Sequence, residues 1–86
     1  ISVYQGDASL LIDKKYDVII ANINRNILLE DMKTYAKCLE KDGILLLSGF
    51  YEEDLILIDE EASKNQLKHQ KTIKRNQWIS VNYLKQ

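Results

Sequence analysis

Residues 16–21 read YDVIIA, an apolar run broken by a single acid. Val18, Ile19 and Ile20 branch at Cβ, which suits a pleated strand better than a helix. Strict alternation of apolar and polar residues would bury one face of a strand. A continuous run buries both, as expected of an interior strand in a parallel sheet. Parallel neighbours need a crossover, so a helix is expected next. Leu28, Met32, Tyr35 and Leu39 follow at spacings of four, three and four, giving one apolar face, while Glu30, Lys33, Lys37 and Glu40 point to solvent. Asn24 or Asn26 caps the first turn of that helix, and Gly43 ends it or the loop behind it.

Working outward, residues 44–47 form a second fully apolar strand, and Ser48-Gly49 marks its stop. Glu52, Glu53 and Asp54 then crowd the start of a second helix, where the helix dipole favours negative charge. Leu55, Ile58 and Ala62 trace its buried stripe, and it extends to about Asn65. Residues 67–73 and 78–84 read as strands joined by a polar turn at 74–77, with Ile79, Val81 and Tyr83 on one side of the second. This is a closing antiparallel hairpin. Upstream, residues 1–5 alternate, placing Ile1, Val3 and Gln5 together in a short strand that ends at Gly6-Asp7. The order strand, strand, helix, strand, helix, strand, strand predicts an α/β architecture.

Composition narrows the class further. The 86 residues make one domain, spanning 1–86, and exclude a second. Twelve Lys and Arg against thirteen Asp and Glu leave a net charge of −1, with no overall pull toward nucleic acid or an anionic membrane. Lys68, Lys71, Lys74 and Arg75 make the densest basic stretch, and it reads as a solvated strand face. Lone Cys38 and lone His69 form neither an internal disulfide nor a structural zinc site, in keeping with a reducing, cytoplasmic setting. His69 has no Ser or Cys partner in motif context and reads as a solvated or structural histidine. No apolar run approaches the roughly 20 residues that span a bilayer. The chain opens on a strand-like segment without methionine, so a longer parent polypeptide is expected.

DVIIANINRNILLEDM (residues 17–32), KDGILLLSGFYEEDL (41–55) and NQWISVNYL (76–84) together resemble the PrmA family, methyltransferases that modify protein eleven of the large ribosomal subunit. Ala21-Asn22-Ile23 and Leu47-Ser48-Gly49-Phe50 are the most specific pieces. The resemblance implies a partial class I, Rossmann-like sheet: the C-terminal half of a seven-stranded catalytic domain with its last strand antiparallel. It implies S-adenosylmethionine as cofactor and amino groups of a ribosomal protein, lysine side chains or the N-terminal amine, as acceptors. In that scheme Asn22 stands just past the fourth strand, at the cofactor and acceptor site, and Asp7 matches the acid or amide that contacts the adenine amino group. Methyl transfer is an in-line displacement, so the protein mainly holds a neutral amine about 3 to 3.5 Å from the methyl carbon. An amide oxygen suits that role. Phe50 and Tyr51 fall at the mouth of the site and are candidates to touch an acceptor.

Plainer readings stand beside these. Asp7 also suits an N-cap or turn before residues 8–11, and Asn22 a strand-end turn. Glu52, Glu53 and Asp54 read as a helix start, not a metal cluster, and Trp78 as a packing residue. Gly6, Gly43 and Gly49 are the only glycines. The glycine-rich turn that admits a cofactor, the acid that holds its ribose and the family's substrate-recognition domain are therefore expected upstream. The piece alone is then expected to be inactive and to bind cofactor weakly. The strand around Val18 would lack its family neighbour and expose an apolar edge, favouring self-association. Two other functions fit: a non-catalytic binding or assembly module with a half methyltransferase fold, or another protein amino methyltransferase. Glutamine-directed enzymes usually carry prolines after the asparagine, where Ile23-Asn24 stands here.

Overall fold

The computed structural model describes residues 3–5, 15–22 and 24–86. Its elements are strand β1 (Val3–Gln5), β2 (Tyr16–Asn22), helix α1 (Arg25–Lys37), β3 (Leu39–Tyr51), a short 3-10 turn (Glu52–Asp54), α2 (Leu55–Lys64), β4 (Leu67–Arg75) and β5 (Trp78–Lys85). The five strands form one sheet in the order β1-β2-β3-β5-β4. β1, β2 and β3 run parallel; β5 runs antiparallel to β3, and β4 antiparallel to β5. The expected α/β class and closing hairpin are both present.

The sheet's two faces differ in chemistry, and the register shows how. Ile19, Leu45 and Tyr83 lie in one cross-strand row, and Ala21, Leu47 and Val81 in another. All six are buried in one core with Leu28, Met32, Tyr35 and Ala36 of α1 and Ile58 and Ala62 of α2. Both helices therefore cover the same face. Burying each large aliphatic side chain contributes about 1.5 to 3 kcal/mol, which is what seats the helices on the sheet. The opposite face carries the alternate residues, among them Asn22, Ser48 and Ser80, in a row of their own.

Gly49 changes which residues reach which face. Its φ of 91° is open to glycine at little cost, and the β3–β5 register shifts between Ser48 and Phe50. Before this bulge, Leu45 and Leu47 point to the core. After it the parity reverses, so Phe50 pairs with Ile79 in the core and Tyr51 emerges on the other face opposite Trp78.

Several boundaries depart from the sequence reading. Leu39 continues the helical spacing, yet α1 ends at Lys37 with Cys38 as its cap, and Leu39 is a buried strand residue paired with Tyr16. β3 is far longer than residues 44–47, because Gly43 lies inside it and Ser48-Gly49 bends the strand without ending it. β4 runs on to Arg75, leaving Asn76 at φ 59° to turn the hairpin. The uncovered edge expected along Val18 is corrected as well: β1 pairs there, Val3 opposite Val18 and Gln5 opposite Ile20. No helix among the described residues is long and apolar enough to cross a membrane.

Candidate functional site

β2 and β3 are parallel, so Asn22 at the end of β2 and Ser48, where β3 reaches its bulge, lie toward the same edge of the sheet. Open α/β sheets bind ligands at this edge, outside the carboxyl ends of the strands. Asn22 is the final residue of β2 and pairs with Ser48; Ser48 pairs with Ser80, and Ser80 with Ile73. This row is the floor of a cleft of about 650 Å³, lined also by Asn24, Gly49, Arg75, Trp78 and Ile79. Asn22 is exposed toward solvent.

Each side of the cleft is fixed by a separate device. Asn24, the N-cap of α1, accepts the Ile27 backbone N–H on its Oδ1 at 3.1 Å. That bond satisfies one orphan donor of the helix and sets how the chain leaves β2. Across the cleft, Tyr51 and Trp78 stack with ring centroids 4.7 Å apart and 22° between planes. They remain 43% and 50% exposed, and Trp78 gives the cleft an aromatic wall that Tyr51 backs. Below the Tyr51 side, the Arg25 guanidinium donates to Asp54 Oδ1 at 2.9 Å. Tyr51 N–H also donates to Asp54 Oδ2, at 3.3 Å.

The structure places Asn22 in the cleft with Trp78, while Tyr51 stacks on Trp78 from behind and faces a separate depression with Glu52, Glu53, Lys74 and Gln77. Phe50 points into the core and does not line the cleft. Asp7 lies outside the described residues. His69 lies on the edge strand β4, its Nε2 2.6 Å from Thr72 Oγ1 and its ring edge-on to Tyr83. Glu52 pairs with Lys74, and no group of His, Cys, Asp or Glu among the described residues is arranged to hold a metal. The sequence reading missed Ser48, Ser80, Ile73 and Arg75 as lining residues. Their cross-strand register is not visible in periodicity alone.

The whole chain, residues 1–86, matches the family model described as "Ribosomal protein L11 methyltransferase (PrmA)". It belongs to the PrmA family. Two ribosomal protein L11 methyltransferases of the family show the likeness at sequence level: 49% identity over 84 residues for that of Bacteroides thetaiotaomicron, and 50% over 84 for that of Porphyromonas gingivalis. Each alignment takes in 96% of this chain but 30% and 29% of the respective relative. The chain thus spans about a third of the length of the relatives it matches. A crystal structure of ribosomal protein L11 methylase from Lactobacillus delbrueckii subsp. bulgaricus superposes with a TM-score of 0.81 at 28% identity, over 87% of this chain and 40% of that one. A putative methyltransferase from Thermoplasma acidophilum shares the fold alone, with a TM-score of 0.77 at 13% identity. The sheet is thus part of a class I methyltransferase sheet, as expected of a PrmA member.

Proposed function

We propose that these residues form the acceptor side of an S-adenosylmethionine-dependent N-methyltransferase that modifies amino groups of ribosomal protein L11 in the cytoplasm. One observation carries the reading: Asn22 ends an interior parallel strand and is exposed into the cleft. The donor set fits the chemistry. An acceptor amine needs oxygens that take its hydrogens, and Asn22, Ser48 and Ser80 offer an amide oxygen and two hydroxyls in one row.

When bound, S-adenosylmethionine supplies an electrophilic methyl group on a sulfonium. The residues described here orient the acceptor. Asn22 Oδ1 accepts an amine hydrogen and aims the nitrogen lone pair, holding the amine in a near-attack position. A lysine ammonium has a reference pKa of about 10.4 and must lose its proton first. Among the described lining residues none is a carboxylate or an imidazole, so that proton passes to water. The Tyr51–Trp78 wall excludes solvent from one side and packs on the alkyl stem of the acceptor. Asp7 contacts the adenine amino group in this reading.

The test replaces the matching segment of the Bacteroides thetaiotaomicron relative with this chain and assays methyl transfer to purified L11. Activity that depends on Asn22 supports the proposal. A folded, inactive chimera favours a binding or assembly module. Isothermal titration of the chain itself with S-adenosylmethionine is expected to give weak binding at most; micromolar affinity would mean that these residues suffice for the cofactor. The three residue pairs of β1 are a slight cover for the edge of β2, so we also infer self-association by strand exchange at high concentration. A strictly monomeric light-scattering profile would remove that part.

A further inference from the structure

A chain of contacts runs beside the mouth of the cleft, and one carboxylate stands at its middle. Asp54, in the 3-10 turn, takes the Arg25 guanidinium on one oxygen at 2.9 Å and the Tyr51 backbone N–H on the other at 3.3 Å. Arg25 stands three residues after Asn22 and opens α1. Tyr51 stacks on Trp78, which lines the cleft with Asn22. Beside the connection through the sheet, a second route from the Asn22 side to the aromatic wall therefore passes through Arg25, Asp54 and Tyr51.

The neighbouring acids do not share this role. Glu53 is exposed, and Glu52 pairs with Lys74 at 2.8 Å between two exposed side chains. Screened pairs of that kind contribute little. The Asp54 side chain is only 13% exposed, and its link to Arg25 spans 29 positions of sequence. Capping the 3-10 turn requires only the bond to Tyr51 N–H. The bond to Arg25, made by Nη1 while Nε and Nη2 donate to Asn26 Oδ1, adds a charge-assisted tie between the start of α1 and the turn that follows β3.

We propose that Asp54 is a positioning residue, holding the aromatic wall at a fixed separation from Asn22 by tying α1 to Tyr51. Its functional meaning rests on the acceptor-cleft reading above; the coupling itself does not. Trp78 is the only tryptophan in the chain, so its fluorescence reports the wall directly.

The test is acrylamide quenching of Trp78 in the full chain, with Tyr51–Trp78 ring cross-peaks followed by NMR and helix content by circular dichroism. Asp54→Ala is expected to free one ring face and raise the quenching constant about 1.5-fold, weakening the cross-peaks at unchanged helix content. Arg25→Ala, at a half-exposed site that tolerates truncation, should do the same should Asp54→Ala not fold. The double variant should go no further than Asp54→Ala alone, because that change already removes the Arg25 link. Asp54→Asn keeps only one of the two acceptor oxygens and sets an NH2 against the other donor, so it breaks one of the two bonds and should loosen the stack as well. Unchanged quenching in both single variants, or fully additive effects in the double, would overturn the proposal. These measurements use no acceptor, so a failure to methylate L11 leaves them standing and the two readings fail separately.

Discussion

Asn22 and Ser48 stand opposite each other where β2 ends beside the parallel strand β3, and both line the same cleft. Because Asn22 is exposed, its replacement separates chemistry from folding. In the chimera with the Bacteroides thetaiotaomicron relative, Asn22→Ala should lower methyl transfer on the order of 100-fold through lost orientation of the amine. The chain's denaturation free energy should move by less than about 0.5 kcal/mol, as at other surface sites. Equal activity of the two proteins would dismiss Asn22 as an orienting group.

Gly49→Val tests the bulge. A β-branched residue at φ 91° meets steric strain of about 1 to 2 kcal/mol, and relieving it would realign the strand. Urea titration should show that loss. Tyr51–Trp78 ring cross-peaks should fade with it, since the reversal of parity brings Tyr51 to its partner.

Gly43 meets a different constraint. A Cβ there would sit 2.8 Å from Glu40 O and 3.1 Å from Asp17 O, both backbone atoms that cannot swing aside. Gly43→Ala should therefore cost about 1 to 3 kcal/mol by overpacking, read from the urea midpoint. A neutral result would mean that the irregular stretch between Leu39 and Ile44 yields easily.

Tyr83 gives a pH signature. Burial, reinforced by its hydrogen bond to Asp59 and that group's charge, pushes the phenol well above its usual range. The unfolded phenol titrates near 10, so the folded state holds the proton more tightly. Its contribution is complete below about pH 10 and erodes as the pH rises past that value toward the folded one. Tyr83→Phe should cost about 1 kcal/mol at neutral pH and show less alkaline loss than the parent. Parallel stability curves from pH 8 to 11 would contradict this.

Much of this architecture was legible because burial leaves a local imprint. The run at Val18, Ile19 and Ile20 announced an interior strand, and the acids at 52–54 announced the turn leading into α2. Leu39 misled because a spacing of four from Tyr35 fits a helix as well as the first residue of a strand beyond a cap. Asn22 was found through family resemblance and Asn24 through capping chemistry. The Asn22–Ser48–Ser80 row and the Arg25–Asp54 tie were not found, since pairing across distant segments leaves no periodic trace. Resemblance also placed the strand at Val18 beside an absent partner, whereas β1 fills that edge.

The reversal at Gly49 separates two jobs that one strand would otherwise confound. Residues facing the helices answer to packing, while Tyr51 and Trp78 answer only to whatever enters the cleft. In the acceptor reading proposed above, substitutions at 51 and 78 would retune selectivity with little effect on the core, giving an engineer a dial that leaves the foundation alone.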